Sequence, residues 1–196
     1  MFILYAVPLG LVLGALLGGR VGGLGMIRFR WAGLALLGFA AQVVLFSDPV
    51  TARIGELGPP LYVASTALVF VAVLRNLAIR GMPLVAAGAA SNLAAIVANG
   101  GYMPTSASAA AEFGRSAPEA YSNSAIVESP ALAPLTDVIP LPQWLPFANI
   151  VSVGDILIAA GIVVVIAAAM RTGRRQASTD EPGQAASPVP TGNAPV

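Results

Sequence analysis

The residues able to do chemistry in this chain are few, and most lie inside or beside runs of aliphatic side chains. Gln42, Asn92, Asn99 and Asn149 are amides with both donor and acceptor capacity, and Asp155 is an acid at the edge of an apolar stretch. Gly100 and Gly101 follow Asn99 in the segment ANGGYMPTS, where two missing side chains uncover backbone amides. Ser65, Thr66 and Ser91 add hydroxyls within the apolar runs. Polar groups placed in lipid need partners. The set therefore reads either as hydrogen-bonded glue between helices or as the lining of a polar cavity.

The common reactive groups are missing. The sequence holds no His and no Cys, which removes imidazole bases, thiol nucleophiles, thiolate zinc sites and disulfides. Neither a G-x-S-x-G elbow nor an H-E-x-x-H helix occurs. Ser152-Val-Gly-Asp155 approaches the G-x-G-D of intramembrane aspartyl proteases, but it starts on Ser and lacks the second intramembrane acid that a shared-proton dyad needs. The expectation is a protein that is not an enzyme and uses no cofactor or metal.

These residues must be positioned by elements suited to a membrane. Of 196 residues, 57% are hydrophobic and 10% charged, with a net charge of +1. Soluble domains carry about a quarter charged residues, so the composition argues against an aqueous globule, and the small net charge gives no attraction to nucleic acid. A spanning helix needs about 20 mostly apolar residues, with about 17 sufficient. Five stretches qualify, at about 2–19, 31–47, 60–79, 82–100 and 153–170. Their continuity excludes the alternation of a barrel strand. The expected fold is all-α: an integral membrane bundle of five transmembrane helices, with a long irregular outer loop at 101–152. Residues 1–171 form the membrane domain, and 172–196, rich in Ser, Pro, Gly and Gln, form a disordered cytoplasmic tail.

Arginine sets the orientation. Arg20, Arg28 and Arg30 follow the first span, Arg75 and Arg80 fall between the third and fourth, and Arg171, Arg174 and Arg175 follow the last. With alternating passes those eight share one side, against Arg53 and Arg115 on the other. The N-terminus is then outside and the C-terminus in the cytoplasm. The first span lacks a basic leader and ends in a triply basic loop, the pattern of an uncleaved helix. All ten basic residues are Arg and Ala is abundant, which suits a GC-rich bacterial genome and the bacterial cytoplasmic membrane.

Depth then follows from the rise of 1.5 Å per residue. Gln42 lies about 7 Å below the outer end of its span, with Ser65 and Thr66 at a similar level. Asn92 and Asn99, seven apart, share a face of the fourth span, and Asn149 and Asp155 flank the outer start of the fifth. The polar side chains thus gather in the outer half. Ser152 and Asp155 also fit a capping box, with Ser152 as N-cap and Asp155 at N3; the alternatives for Asp155 are a proton- or cation-binding role or a salt bridge to Arg53 or Arg115. Asn99 ends the fourth helix, Gly100 or Gly101 takes a left-handed turn, Pro104 prevents resumption, and Tyr102 suits the interfacial aromatic belt.

In the first span Gly10, Gly14 and Gly18 form a small-xxx-small ridge for helix packing, within the bundle or between copies, and Pro8 kinks the helix. In the outer loop a short helix is expected over Thr105–Phe113, stopped by Gly114, and a second turn from Ser116 with Pro118 at N1. Five prolines between Pro130 and Pro146 predict an extended path. Trp144–Asp155 is too apolar for a free loop and is expected in the interface beside the Asn99–Pro104 segment.

Asn99-Gly-Gly-Tyr-Met-Pro104, Leu145-Pro-Phe-Ala-Asn-Ile-Val-Ser-Val-Gly-Asp155 and the early GGRVGGLGMIRFRW together resemble a family of uncharacterised bacterial multi-pass membrane proteins. The resemblance spans roughly Met1 to Arg171. It implies location and fold and carries no activity. The residues themselves favour a small-solute-binding or permeation component with an outward-facing site at Gln42, Asn92, Asn99, Gly100, Gly101, Asn149 and Asp155. The alternative is a non-catalytic assembly protein whose acidic, Pro-rich outer loop docks an envelope partner. The expected partners are the lipid bilayer and a second copy or another membrane protein.

Overall fold

The structure is a computed structural model that describes residues 2–113 and 122–180, without the side chains of Phe2 and 173–180. Arg115 and the expected turn from Ser116 to Glu119 lie outside the described residues, as do the side chains of Arg174 and Arg175 and everything beyond Asp180. The protein is mostly helical, 66% helix and 8% strand. Strands are therefore present where none were expected.

The helices and strands run in the order α1 (Ala6–Leu16), α2 (Ala32–Leu45), α3 (Asp48–Ile54), α4 (Gly58–Leu74), α5 (Met82–Ala98), β1 (Met103–Ser106), α6 (Ala107–Glu112), β2 (Ser124–Val127), β3 (Ile139–Pro140), β4 (Ile150–Val151) and α7 (Val153–Asp180). Two helical stretches, Asp48–Leu74 and Val153–Thr172, are long and apolar enough to cross a membrane; Ile3–Leu16, Ala32–Leu45 and Met82–Ala98 are shorter apolar helices. Helix α7 continues through Asp180, into the segment expected to be unstructured.

The helices pack in the order α1, α7, α5, α4, α2. Missing side chains set the closest approaches. On α5 and α7, a Cβ on Gly81 would meet the Gly161 carbonyl oxygen at 2.5 Å, and one on Gly154 would meet the Gly88 oxygen at 2.7 Å. Gly81 thus faces Gly161 and Gly88 faces Gly154, so the two helices run antiparallel with backbones touching. Gly38 of α2 sits equally close to Ser65 and Val69 of α4. Gly10 and Gly14 are buried against Ile166, Ala167 and Met170, so α1 runs parallel to α7.

Gly18 departs from the expected ridge. It is exposed at φ 73°, and its N–H bonds the Ala15 carbonyl while Gly19 N–H bonds that of Gly14. This is a Schellman cap, which needs a left-handed residue and ends α1 at Leu16. Gly19, whose Cβ would meet Met170 Cβ at 2.6 Å, makes the contact assigned to Gly18.

With these directions, the chain segments carrying Arg20, Arg28, Arg30, Arg75, Arg80 and Arg171 leave the bundle at one end, all six side chains exposed. Arg20 N–H donates to the Met170 carbonyl at 2.9 Å, and the Arg75 guanidinium lies 5.6 Å from the Trp31 ring centroid.

The opposite end carries a built cap instead of an irregular loop. β1 pairs in parallel with β2, from Met103 opposite Ser124 to Ser106 opposite Val127, and Thr105 bridges Asp137. β3 and β4 pair antiparallel, Ile139 opposite Val151. Ser106 caps α6 by accepting from Ala109 N–H at 3.2 Å. The proline-bearing stretch is not extended throughout, because Leu132 turns left-handed into a 3-10 turn at Ala133–Leu135. Under the cap, Leu45, Tyr62, Ala95, Ile96 and Met103 form one core cluster; Met82, Val85 and Val165 form another at the arginine-bearing end.

Gly88→Val drives two methyl groups into the α7 backbone, an overpacking expected to cost about 1–3 kcal/mol or more. Gly33→Ala, at a helical site with nothing within 4 Å, is expected to leave stability unchanged or raise it by up to about 1 kcal/mol. Thermal unfolding of the purified protein in detergent distinguishes the two; equal melting temperatures would mean that the seam between α5 and α7 is not tight.

Candidate functional site

The first turn of α7 is where the polar residues converge. Ser152, fully buried, accepts the Asp155 backbone N–H on Oγ at 3.0 Å, and Asp155 Oδ2 accepts the Ser152 N–H at 3.2 Å. That reciprocal pair is the capping box expected from the spacing. Asn92 of α5 closes it into a ring. Ser152 Oγ donates to Asn92 Oδ1 at 2.9 Å, and Asn92 Nδ2 donates to Asp155 Oδ1 at 2.9 Å. Asn92 reaches this position because Gly154 has no side chain: a Cβ there would collide with the amide. The Asp155 carboxylate thus holds one hydrogen bond on each oxygen. Arg53 is engaged elsewhere, donating from Nη1 to the Pro49 carbonyl at 2.8 Å.

The ring borders a partly open cavity of about 610 Å³ lined by α2, α4, α5, α7 and the cap. Gln42, Asn92, Asn149 and Asp155, drawn from four separate segments, all line it. Gln42 Nε2 donates to Thr66 Oγ1 at 3.2 Å across the α2–α4 contact. Tyr62, hydrogen-bonded to the Asn123 side chain, joins the same end together with Asn123 and Asp137. Asn149 presents a buried Oδ1 that has no hydrogen-bond partner. Away from the cap the walls turn apolar, with Phe39, Val69, Phe70, Val85, Ile158 and Ile162. Arg30 and Asn76 close the far end. The arrangement can hold a ligand with a hydrogen-bonding end and an apolar body; no group of three or more metal-binding side chains occurs among the described residues.

Other expected site residues are not brought into this space. Ser65 donates to the Tyr62 carbonyl at 2.9 Å and, like Ser91, does not line the cavity. Asn99, Gly100 and Gly101 are also outside it. Asn99 is the C-cap of α5, its backbone already non-helical, so the seven-residue spacing from Asn92 does not put both on one face. Its Nδ2 donates to the Ala95 and Ala131 carbonyls at 2.8 and 2.9 Å, and its Oδ1 accepts the Ala131 N–H at 2.9 Å. The amide clamps the cap to the helix end. Gly101 and Gly100 N–H groups bond the Ile96 and Val97 carbonyls in a Schellman cap, both residues at positive φ, and Gly101 packs against Pro59. Their features are used up by structure.

Four polar lining residues, Tyr62, Asn76, Asn123 and Asp137, escape a sequence reading. Asn76 gave one signal, an amide beside Arg75 in an apolar run, but it was absorbed into the span at 60–79. Asn123 and Asp137 gave none, since only the pairing of the cap strands carries them to the cavity.

The chain belongs to DUF5317, a family of unknown function, whose family model matches residues 26–167. That range includes every residue of the Asn92–Ser152–Asp155 ring and leaves out α1. No curated protein and no solved structure matches the chain.

Asn99→Ala removes three hydrogen bonds, each worth about 1 kcal/mol, and should expose the segment around Ala131 to protease. Asn149→Ala removes no intramolecular bond from Oδ1 and should melt within about 0.5 kcal/mol of the parent. Limited proteolysis and thermal unfolding check both; a protected Ala131 segment in Asn99→Ala would refute the clamp.

Proposed function

We propose that this protein crosses the bacterial cytoplasmic membrane five times, N-terminus outside and C-terminus in the cytoplasm, and binds a small solute in a polar cavity facing outward. It acts as a non-catalytic solute-binding or permeation component. The observation that carries this reading is the meeting of Gln42, Asn92, Asn149 and Asp155 in one cavity.

The membrane setting is supported by what the bundle leaves uncovered. Leu9 and Leu16 of α1 and Val43 and Val44 of α2, none of which lines the cavity, are more than half exposed. A continuous apolar surface of this kind marks contact with lipid or protein in place of water. The gathering of six exposed arginines at the end remote from the cap favours the cytoplasm for that end, by the excess of positive charge on cytoplasmic loops. The cap then faces outward, and the cavity's polar end sits beneath it. Helices shorter than the usual span fit the same reading, because α1 is preceded by an apolar 3-10 turn at Phe2–Tyr5 and only the bundle as a whole must match the hydrocarbon.

Irregular backbone at membrane depth is tolerated where it lines a cavity or is buried in protein. The cap segments that approach the cavity through Asn123, Asp137 and Asn149 answer to that condition.

The absence of native Cys makes labelling a clean test. Ser129→Cys, in the cap, should react with a membrane-impermeant maleimide added to intact cells, and Thr172→Cys should react only after lysis. Thr66→Cys, inside the cavity, should react from outside with the small reagent methanethiosulfonate ethylammonium. Labelling of Thr172 and protection of Ser129 in intact cells would reverse the orientation; an inert Thr66→Cys in folded protein would remove the outward opening.

A further inference from the structure

We infer that the cavity takes an amphiphile with a primary-amine head and a single alkyl chain, the head at Asp155 and the chain along the apolar shaft; this rests on the reading of the cavity as an outward-facing solute site. The head end is rich in acceptors whose capacity is not used up. Each Asp155 oxygen receives one hydrogen bond and retains lone-pair capacity for another. Asn149 Oδ1 is a buried acceptor with no donor. Of the amide donors here, Asn92 Nδ2 gives one of its two hydrogens to Asp155 and Gln42 Nε2 one of its two to Thr66, and neither amide carries a charge. The one basic residue among the described lining residues, Arg30, is at the opposite end. A group that brings several N–H donors and a positive charge complements this end, and an anionic head would meet the Asp155 carboxylate. Charge-assisted bonds of the ammonium–carboxylate type are the strong ones.

The remainder of the cavity favours a chain over a compact solute. Along α4 the lining runs from Tyr62 to Val73, about 17 Å at 1.5 Å per residue. Between the polar ends the walls are Phe39, Val69, Phe70, Val85, Ile158 and Ile162, with no hydrogen-bonding side chain among them. A small hydrophilic solute would leave those walls wet, whereas methylenes lying along them are removed from water. The volume, about 610 Å³, is within the range of sites that enclose a ligand of this size. The shaft lies in front of α4 and α5, flanked by α2 and α7, which pack on different neighbours. An alkyl chain can therefore be received along the helices' length, parallel to the chains of the surrounding bilayer.

The test is native mass spectrometry of the full chain released from a neutral maltoside detergent, with dodecylamine, dodecyl sulfate and butylamine as probes. One retained dodecylamine is expected, favoured over dodecyl sulfate by about tenfold or more. Asp155→Asn should lower dodecylamine occupancy about tenfold while keeping an N3 residue in the capping box. Asn149→Ala, which loses no internal bond, should weaken retention without moving the melting temperature and so guards against misfolding as the cause. Ala35→Phe, which narrows the shaft away from the polar end, should expel dodecylamine and spare butylamine. Butylamine retained as well as dodecylamine, with no effect of Ala35→Phe, would overturn the chain and leave the solute site standing. Equal retention of dodecyl sulfate would overturn the amine head. Retention of no probe, in protein whose Thr66→Cys still reacts from outside, would overturn the inference alone; an unreactive Thr66→Cys would take the outward-facing site with it.

Discussion

Backbone contact between α5 and α7 is the constraint from which the rest of the structure follows. Gly81 faces Gly161 and Gly88 faces Gly154, each pair seven residues from the next on its own helix. Bare glycines let the axes approach until the two backbones meet, gaining dispersion contacts that larger side chains would prevent. The register has a chemical consequence. Asn92 lies one turn beyond Gly88, so the seam that joins Gly88 to Gly154 delivers the amide to the first turn of α7. Gly154 serves both ends at once, as the floor of the seam and as the opening through which Asn92 reaches Ser152 and Asp155.

The irregular segments are held by a different device, used twice. Asn76, just beyond α4, donates through Nδ2 to the Ala72 and Arg30 carbonyls and accepts the Arg30 N–H on Oδ1. Asn99 repeats that pattern with Ala95 and Ala131. In each case the side chain satisfies its own helix four residues back and then pairs with a foreign peptide group through both of its polar atoms. A carboxylate in either place would lack the donor, and a hydroxyl would lack the reach. These two amides fasten the linker before α2 at one end of the bundle and the cap at the other, which are the segments with least regular hydrogen bonding of their own.

What was legible from sequence divides along the same line. The apolar stretches, the Ser152–Asp155 box and the glycine stop after Asn99 depend on neighbours within a few residues, and each appears in the structure near its expected position. The role of Asn99 was not legible, because its partner Ala131 is 32 residues away and nothing local distinguishes a clamp from a ligand. Gly18 was misread because spacing by four describes one helical face only while the helix lasts, and α1 ends at Leu16. The strands of the cap are two to four residues long, too short for an alternation to register. Gln42, Asn92, Asn149 and Asp155 group by height along the bundle, a coordinate that packed helices share even when their lateral order is unknown. Height could not reveal Asn123 or Asp137, which come to the cavity by strand pairing.

The ring around Asp155 also explains how a carboxylate can stand at the end of an apolar cavity with no cation beside it among the described residues. Two donors, Asn92 Nδ2 and Ser152 N–H, are positioned by elements that the glycine seam already holds, and the acid lies in the first turn of α7, at the positive end of its dipole. The side chain is consequently held in one orientation by the fold itself. A basic residue in place of the Asn92 amide would have neutralised the acid and closed the cavity's polar end. The amide supports the carboxylate while leaving its charge directed toward the space that remains.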